Sequence, residues 1–186
     1  MEFIQTDIPG LLVVEPKVFA DSRGYFFESF NENVFAAVGI TAKFVQDNQS
    51  SSVYGVIRGL HYQKIPHAQS KLVRVLSGRI LDVAVDIRKG SPTYGRHISI
   101  ELSAENKKQL WIPAGFAHGF SVLSETAEVL YKCDAFYNRQ SEGGIRFDDE
   151  QLGIDWQIPA GKAIVSDKDQ VLPSLDSIDA NFEFHN

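Results

Sequence analysis

With 186 residues, 44% of them hydrophobic and 23% charged, the chain is long enough to fill one sizeable hydrophobic core. Its formal charge of -6 excludes the basic footprint of a nucleic-acid binder, and no window approaches the roughly 18 apolar residues of a membrane helix. A lone cysteine, Cys133, excludes an intramolecular disulfide and fits a reducing, cytoplasmic setting, as does a start, Met1 to Gly10, without the charged and apolar regions of a secretion signal.

In chain order, the first regular element is a short helix over Asn31–Gly39, with Asn31 as N-cap and Gly39 as stop. Lys71–Leu76 and Arg79–Arg88 read as two strands joined by Ser77-Gly78, the turn chemistry of a hairpin. In the second, Leu81, Val83, Val85 and Ile87 share one face, and Ile80, Asp82, Ala84 and Asp86 the other. Gly90–Gly95 is a connecting turn, and His97–Leu102 alternates with Ile98, Ile100 and Leu102 inward. Glu128–Cys133 is a further strand with Val129, Tyr131 and Cys133 on one face; Cys133 is expected to be a small buried hydrophobe rather than a nucleophile. After about residue 145 the chain is less regular, ending in a weak helix over 175–186. Many short strands between Gly, Pro and Ser turns predict an all-β sandwich or barrel, with a few short peripheral helices, in a single domain over 1–186.

Two segments carry candidate chemistry. Pro113-Ala-Gly115-Phe-Ala-His118 resembles the second half of the cupin signature, in which Pro and Gly shape a tight turn and the His points into a barrel mouth. The first half of that signature, in metal-binding cupins, has His-x-His followed by Glu. This chain instead has His61, Tyr62 and Gln63 in Val56–Gln63, then His67 flanked by Pro66 and Ala68 in what reads as a surface turn. A metal site needs three or more converging ligands, so His61, His67 and His118 would form one only if the His67 loop folded inward. A histidine inside a barrel without a metal is suited to general-base work at neutral pH. Such a base needs an orienting carboxylate, and Asp82, Asp86, Asp167 and Asp169 are all candidates. Arg23, Arg58, Lys71 and Lys168 are cations beside turns that together suit a diphosphate.

These segments, with others, are similar over nearly the whole chain to the dTDP-4-dehydrorhamnose 3,5-epimerases, a family of cupin-type jelly-roll enzymes. The likeness is carried by Asp21–Glu28 (Asp-Ser-Arg-Gly-Tyr-Phe-Phe-Glu), Gln46–Ser50, Arg58–Gln63, Val83–Arg88 with Gly90–Gly95, Pro113–Phe120, Tyr131–Asn138 and Ser166–Asp169. The resemblance implies that His61 is the catalytic base, Asp169 its orienting carboxylate, Tyr131 the general acid on the opposite face of the sugar, and Lys71 the cation beside the ketone oxygen. It implies substrate-binding roles for Arg23, Arg58 and Lys168 at the diphosphate, for Tyr137 against thymine, and for Phe26, Glu28, Gln46, Asn48, His118 and Glu142. It further implies a metal-free, cofactor-free isomerase, a dTDP-4-keto-6-deoxyhexose substrate, and a homodimer in which N-terminal strands pair with the partner's sheet. The readings that compete are an epimerase acting at only C3 or only C5, a metal-dependent cupin oxygenase or isomerase, and a non-catalytic sugar-nucleotide binder.

Overall fold

The structure, a computed structural model, describes residues 1–184. Its strands are β1 (Glu2–Gln5), β2 (Leu12–Glu15), β3 (Phe19–Asp21), β4 (Gly24–Phe26), β5 (Gln46–Val53), β6 (Val56–Gln63), β7 (Lys71–Ser77), β8 (Arg79–Asp86), β9 (His97–Ser103), β10 (Gln109–Ile112), β11 (Phe116–Val122), β12 (Thr126–Cys133), β13 (Glu142–Gly144) and β14 (Ile164–Val165). Two short helices, α1 (Glu32–Ala36) and α2 (Asp167–Gln170), lie at the periphery. One sheet runs β1-β2-β10-β7-β12-β5, and the other β13-β6-β11-β8-β9 with β14 added alongside β6. The β3–β4 hairpin is a separate two-stranded ribbon.

The two large sheets face each other as the jelly-roll barrel expected from the sequence. Val73, Val75, Leu110 and Val129 of the first pack against Ile80, Ala84, Leu102 and Phe120 of the second. The alternation in β8 holds: Ile80 and Ala84 point between the sheets, whereas Leu81, Val83, Val85 and Ile87 join a second core on the outer face. That outer face is covered by the irregular tail, through Leu152, Trp156, Leu175 and Phe182. A strand covered on both sides reads apolar throughout, which is why β8 is buried along nearly its whole length.

The expected hairpin at Ser77-Gly78 is not one. β7 hydrogen-bonds to β10 and β12, and β8 to β9 and β11, so the turn carries the chain from one sheet to the other. Gly78 is required there: its φ is +75°, and a Cβ would lie 2.0 Å from the Thr126 carbonyl oxygen. Pro113–Gly115 crosses between the sheets in the same way, from β10 to β11. Helix α1 forms where expected, with the Asn31 side chain accepting from the Asn33 and Val34 amides. The terminal helix does not form. Leu175–Ser177 makes one 3-10 turn, after which the chain is extended and Glu183 bridges to Lys89; residues 185 and 186 of that expectation lie outside the described residues.

One irregularity positions the site. Along β6, His61 is paired with His118 of β11 and Arg58 with Phe120, so three residues of β6 span two of β11. In an unbroken pleat, residues three apart point to opposite faces; the bulge lets Arg58 and His61 both face inward. It also brings Gly59 against Gly119, where a Cβ on Gly59 would lie 2.6 Å from the Gly119 Cα, at a φ of +118°. Gly59→Ala is therefore expected to destabilise the protein by at least about 2 kcal/mol, from overpacking and a strained φ together. Urea unfolding checks this, and an unchanged midpoint would refute the close approach.

Candidate active site

The mouth of the barrel opens into a cavity of about 630 Å³ lined by residues of both sheets and of the tail. His61 (β6) and His118 (β11) come from one sheet, Lys71 (β7) and Tyr131 (β12) from the facing one, and Asp169 from α2. Of the four carboxylates that spacing left open as orienters of His61, Asp169 is the one in contact. His61 Nε2 donates to Asp169 Oδ1 at 2.7 Å, and Gly59 N donates to Asp169 Oδ2 at 3.2 Å. Ser166 caps the short helix by accepting from the Asp169 amide, which fixes the carboxylate's approach. With Nε2 committed to Asp169, the other ring nitrogen, Nδ1, is left for the cavity. Burial pushes the Asp169 carboxyl up, but the hydrogen bond and charge of His61, the Gly59 amide and the nearby Lys168 outweigh it and hold it below the usual carboxylate range.

The other candidates are accounted for elsewhere. Asp82 pairs with His118, its Oδ1 2.8 Å from Nε2. Asp86 accepts from Arg88, Ser91 and Thr93, a clasp around the 88–93 turn. Asp167 is exposed at the start of α2. Deeper in the cavity, burial depresses the Lys71 ammonium, while Cys133 and Asp82 oppose that shift. Lys71 Nζ stands 5.7 Å from the Tyr131 ring centroid. Burial raises the Tyr131 phenol above its ordinary value, assisted by Cys133 and opposed by Arg58. It also pushes the buried Cys133 thiol up to about 11, in keeping with an inert thiol. His118 is pushed down, by burial first and by Lys71 and His61, against Asp82.

At the rim, Gln46 Nε2 donates to Asn48 Oδ1 at 3.0 Å and Gln46 Oε1 accepts from the Tyr137 amide at 2.9 Å. Glu142 accepts from the Tyr137 hydroxyl and pairs with Lys168. Arg58 reaches in from β6, its Nε donating to Ser52 Oγ at 3.0 Å. Asn48, Arg58, His118 and Lys168 line the cavity, and Gln46, Tyr137 and Glu142 are joined to it through their bonds to Asn48 and Lys168. Arg23, Phe26 and Glu28 do not: within one chain they stand on or beside the β3–β4 hairpin, away from the cavity. Arg23 pairs with Asp21 and its side chain is 88% exposed, Phe26 is 69% exposed, and Glu28 accepts from Asn31 Nδ2. The cause is that this hairpin forms its own two-stranded ribbon instead of joining either wall.

His67 sits exposed in a turn, so His61, His67 and His118 do not converge; among the described residues no group of three His, Cys, Asp or Glu is arranged to hold a metal ion. Sequence reasoning missed Ser166, whose capping role was visible in Ser-x-x-Asp. It also missed the amide of Gly59, for which a glycine beside two inward residues was the available sign.

The pattern of this cavity can be set beside known proteins. Residues 5–177 match the family model described as dTDP-4-dehydrorhamnose 3,5-epimerase. The chain is 56% identical over 170 residues to the dTDP-4-dehydrorhamnose 3,5-epimerase of Shigella flexneri, covering 91% of this chain and 93% of that protein. It is 53% identical to that of Salmonella typhimurium, over 95% and 96% of the two chains. Its fold matches, with a TM-score of 0.95 and 48% identity over 100% of this chain and 99% of the other, the crystal structure of a dTDP-6-deoxy-D-glucose-3,5-epimerase from Legionella pneumophila in complex with dTDP-4-keto-L-rhamnose.

The depressed Asp169 pKa makes a prediction about stability. Because the folded value lies below the unfolded one of about 3.9, the pair stabilises the fold above that pH, and the contribution is lost as pH falls through the folded value. Asp169→Asn should therefore be less stable than the parent near pH 7, with the gap closing as the pH falls below the unfolded value of about 3.9. Chemical denaturation at both pH values checks it; a gap that widens in acid would contradict the pairing.

Proposed function

The chain belongs to the dTDP-4-dehydrorhamnose 3,5-epimerase family, and we propose that it inverts C3 and C5 of dTDP-4-dehydro-6-deoxy-D-glucose, giving dTDP-4-dehydro-L-rhamnose, with His61 as base and Tyr131 as acid. It is an isomerase. The observation that carries the assignment of roles is that His61, oriented by Asp169 at 2.7 Å, and Tyr131 stand on facing sheets across one cavity. Inversion of a carbon needs a proton removed from one face and another delivered to the opposite face, and two facing walls meet that need.

The ketone at C4 acidifies the hydrogens at both neighbouring carbons. His61 Nδ1 takes one of them, and Asp169 steadies the resulting imidazolium. Charge collects on the C4 oxygen, where the buried Lys71 donates to the enolate; one such donor is worth roughly 2.7–4 kcal/mol. The Tyr131 phenol, kept protonated by its raised pKa, returns a proton to the other face. Exchange with solvent then resets both groups. Arg58 and Lys168 hold the diphosphate, Tyr137 stacks on thymine, and Gln46, Asn48, Glu142 and His118 provide further polar contacts.

The same reading takes the whole chain as one domain acting in the cytoplasm as a homodimer. What supports the dimer is the β3–β4 hairpin, with Phe19 55% and Phe26 69% exposed, together with the outer edge of β5, which pairs with no strand among the described residues. An open edge and a projecting apolar ribbon are complementary. The hairpin would thus bring Arg23, Phe26 and Glu28 to the partner's cavity.

His61→Ala should lose solvent-deuterium incorporation at both C3 and C5, by about 10²–10⁴-fold, with thermal stability kept. Tyr131→Phe should retain exchange while product with inverted configuration falls away. NMR of the keto sugar nucleotide in deuterated water reads both, and wild-type-like label uptake by the His61 variant overturns the assignment. For the dimer, sedimentation should give twice the 20.8 kDa chain mass. Mixing inactive His61→Ala and Arg23→Ala chains should restore activity, because one cavity of each mixed dimer is then intact; no recovery after subunit exchange argues against the shared site.

A further inference from the structure

Asp82 has so far served only as a partner of His118. It is 0% exposed on the inward face of β8, between the core residues Ile80 and Ala84. Its Oδ1 accepts from His118 Nε2, but its Oδ2 is a buried side-chain oxygen without a hydrogen-bond partner among the described residues. An ionised carboxylate in that position is costly unless a cation compensates it. Burial pushes His118 towards its neutral form, against the pull of Asp82. The buried cation of the chamber is Lys71, 9% exposed on the facing sheet and with no ion pair or hydrogen bond among the described residues; Arg58 and Lys168 also line the cavity but are exposed and are engaged by Ser52 and Glu142.

We propose that Asp82 is the counter-charge and positioning residue of the reaction chamber: it keeps Lys71 an ammonium without bonding it, and it fixes His118 with its Nδ1 lone pair facing the substrate. This rests on the reading of Lys71 as the cation beside the ketone. The offset matters chemically. A carboxylate bonded directly to Lys71 would occupy its donors and oppose charge on the enolate. A carboxylate screened behind the His118 ring neutralises the empty chamber and leaves the three ammonium hydrogens for the C4 oxygen. With Nε2–H committed to Asp82, His118 offers Nδ1 only as an acceptor, suited to a hydroxyl of the sugar.

The groups facing Lys71 are few. His61 and Arg58 come from β6, Asp82 from β8, His118 from β11, and Tyr131 and Cys133 from β12. On β10 its register partner is Ile112, and Asp134 is turned onto the Ser70 amide. Asp82 is thus the carboxylate among the groups facing Lys71 from the strands packed against it, apart from Asp169, which is committed to His61 at the mouth.

The test uses D82N, K71M and K71M/D82N in the full-length protein. In D82N, the Lys71 titration midpoint, read by NMR of 13C-labelled lysine and assigned by its loss in K71M, should fall by about one to three pH units. The alkaline limb of kcat/KM should move down with it. A residue that merely supports the fold would lower the melting temperature and leave both unmoved, and that result in folded D82N overturns the proposal. K71M leaves the Asp82 carboxylate buried without a compensating cation. K71M should therefore be less stable than the parent in urea unfolding at neutral pH, and K71M/D82N should recover that loss. If D82N alone does not fold, recovery of a folded K71M/D82N supports the pairing. Equal losses in K71M and the double variant, or a double variant that also fails to fold, overturn it. The NMR and stability measurements use no substrate, so they stand apart from any failure of His61 or Lys71 in the deuterium-exchange assay.

Discussion

The 2.7 Å hydrogen bond between His61 and Asp169 joins positions 108 residues apart, and much of the architecture exists to make it. His61 needs the β6 bulge to face inward at all. Asp169 reaches it only because the segment after Gly144 folds back across the outer face of the second sheet. That return path is held by specific contacts as well as by burial. The Trp156 carbonyl accepts from Ser121 Oγ and the Trp156 indole donates to the Phe147 carbonyl, both at 2.7 Å. Asp149 accepts from the Leu175 amide at 2.8 Å. Gly144 of β13 leaves room for Leu172 just beyond α2. The outer core of the second sheet therefore controls the position of the one carboxylate bonded to His61, which under the proposed roles makes it part of the catalytic apparatus.

What could be read from the sequence divides along a physical line. Faces of strands were legible wherever burial differs between the two sides, as in β9, β12 and the inner positions of β8. Strand β5 gave no such sign. Its residues Gln46–Val53 are polar on both faces because one side lines the cavity and the other meets solvent, so hydropathy has no period to report. Partners were less legible than faces. Ser77-Gly78 satisfies the backbone needs of a hairpin and of a corner between sheets equally well, since local turn chemistry does not specify which strands lie beyond. From β5 to β8 successive strands fall alternately in the two sheets. Pairing is accordingly set by long-range packing, which short-range signals cannot carry. The orienter of His61 was a choice among four aspartates for the same reason: the distance that selects Asp169 is created by the tail's return.

The resemblance supplied what periodicity did not, namely which residues share one cavity. It grouped Arg23, Phe26 and Glu28 with His61 and Lys71, and a single chain does not bring them together. A motif records which side chains meet in the working particle without saying which chain each comes from. The projecting β3–β4 ribbon is the structural counterpart of that ambiguity, because its exposed aromatic rings have no core of their own to enter.

The two histidine–aspartate pairs in this barrel use the same atoms for different ends. His61 lies at the mouth, its side chain 34% exposed, and Asp169 has a second donor in the Gly59 amide and Lys168 nearby. A base placed there can return its proton to water after each turnover. His118 and Asp82 are 6% and 0% exposed in their side chains, so a proton there has no such exit. Environment separates the roles that identical chemistry leaves open. The accessible pair suits proton traffic, whereas the sealed pair suits a fixed pattern of charge and lone pairs inside the cavity. Both histidines stand on one sheet and Tyr131 and Lys71 on the facing one, so in the proposed reaction removal of a proton, stabilisation of charge and return of a proton would each have a wall of the barrel to act from.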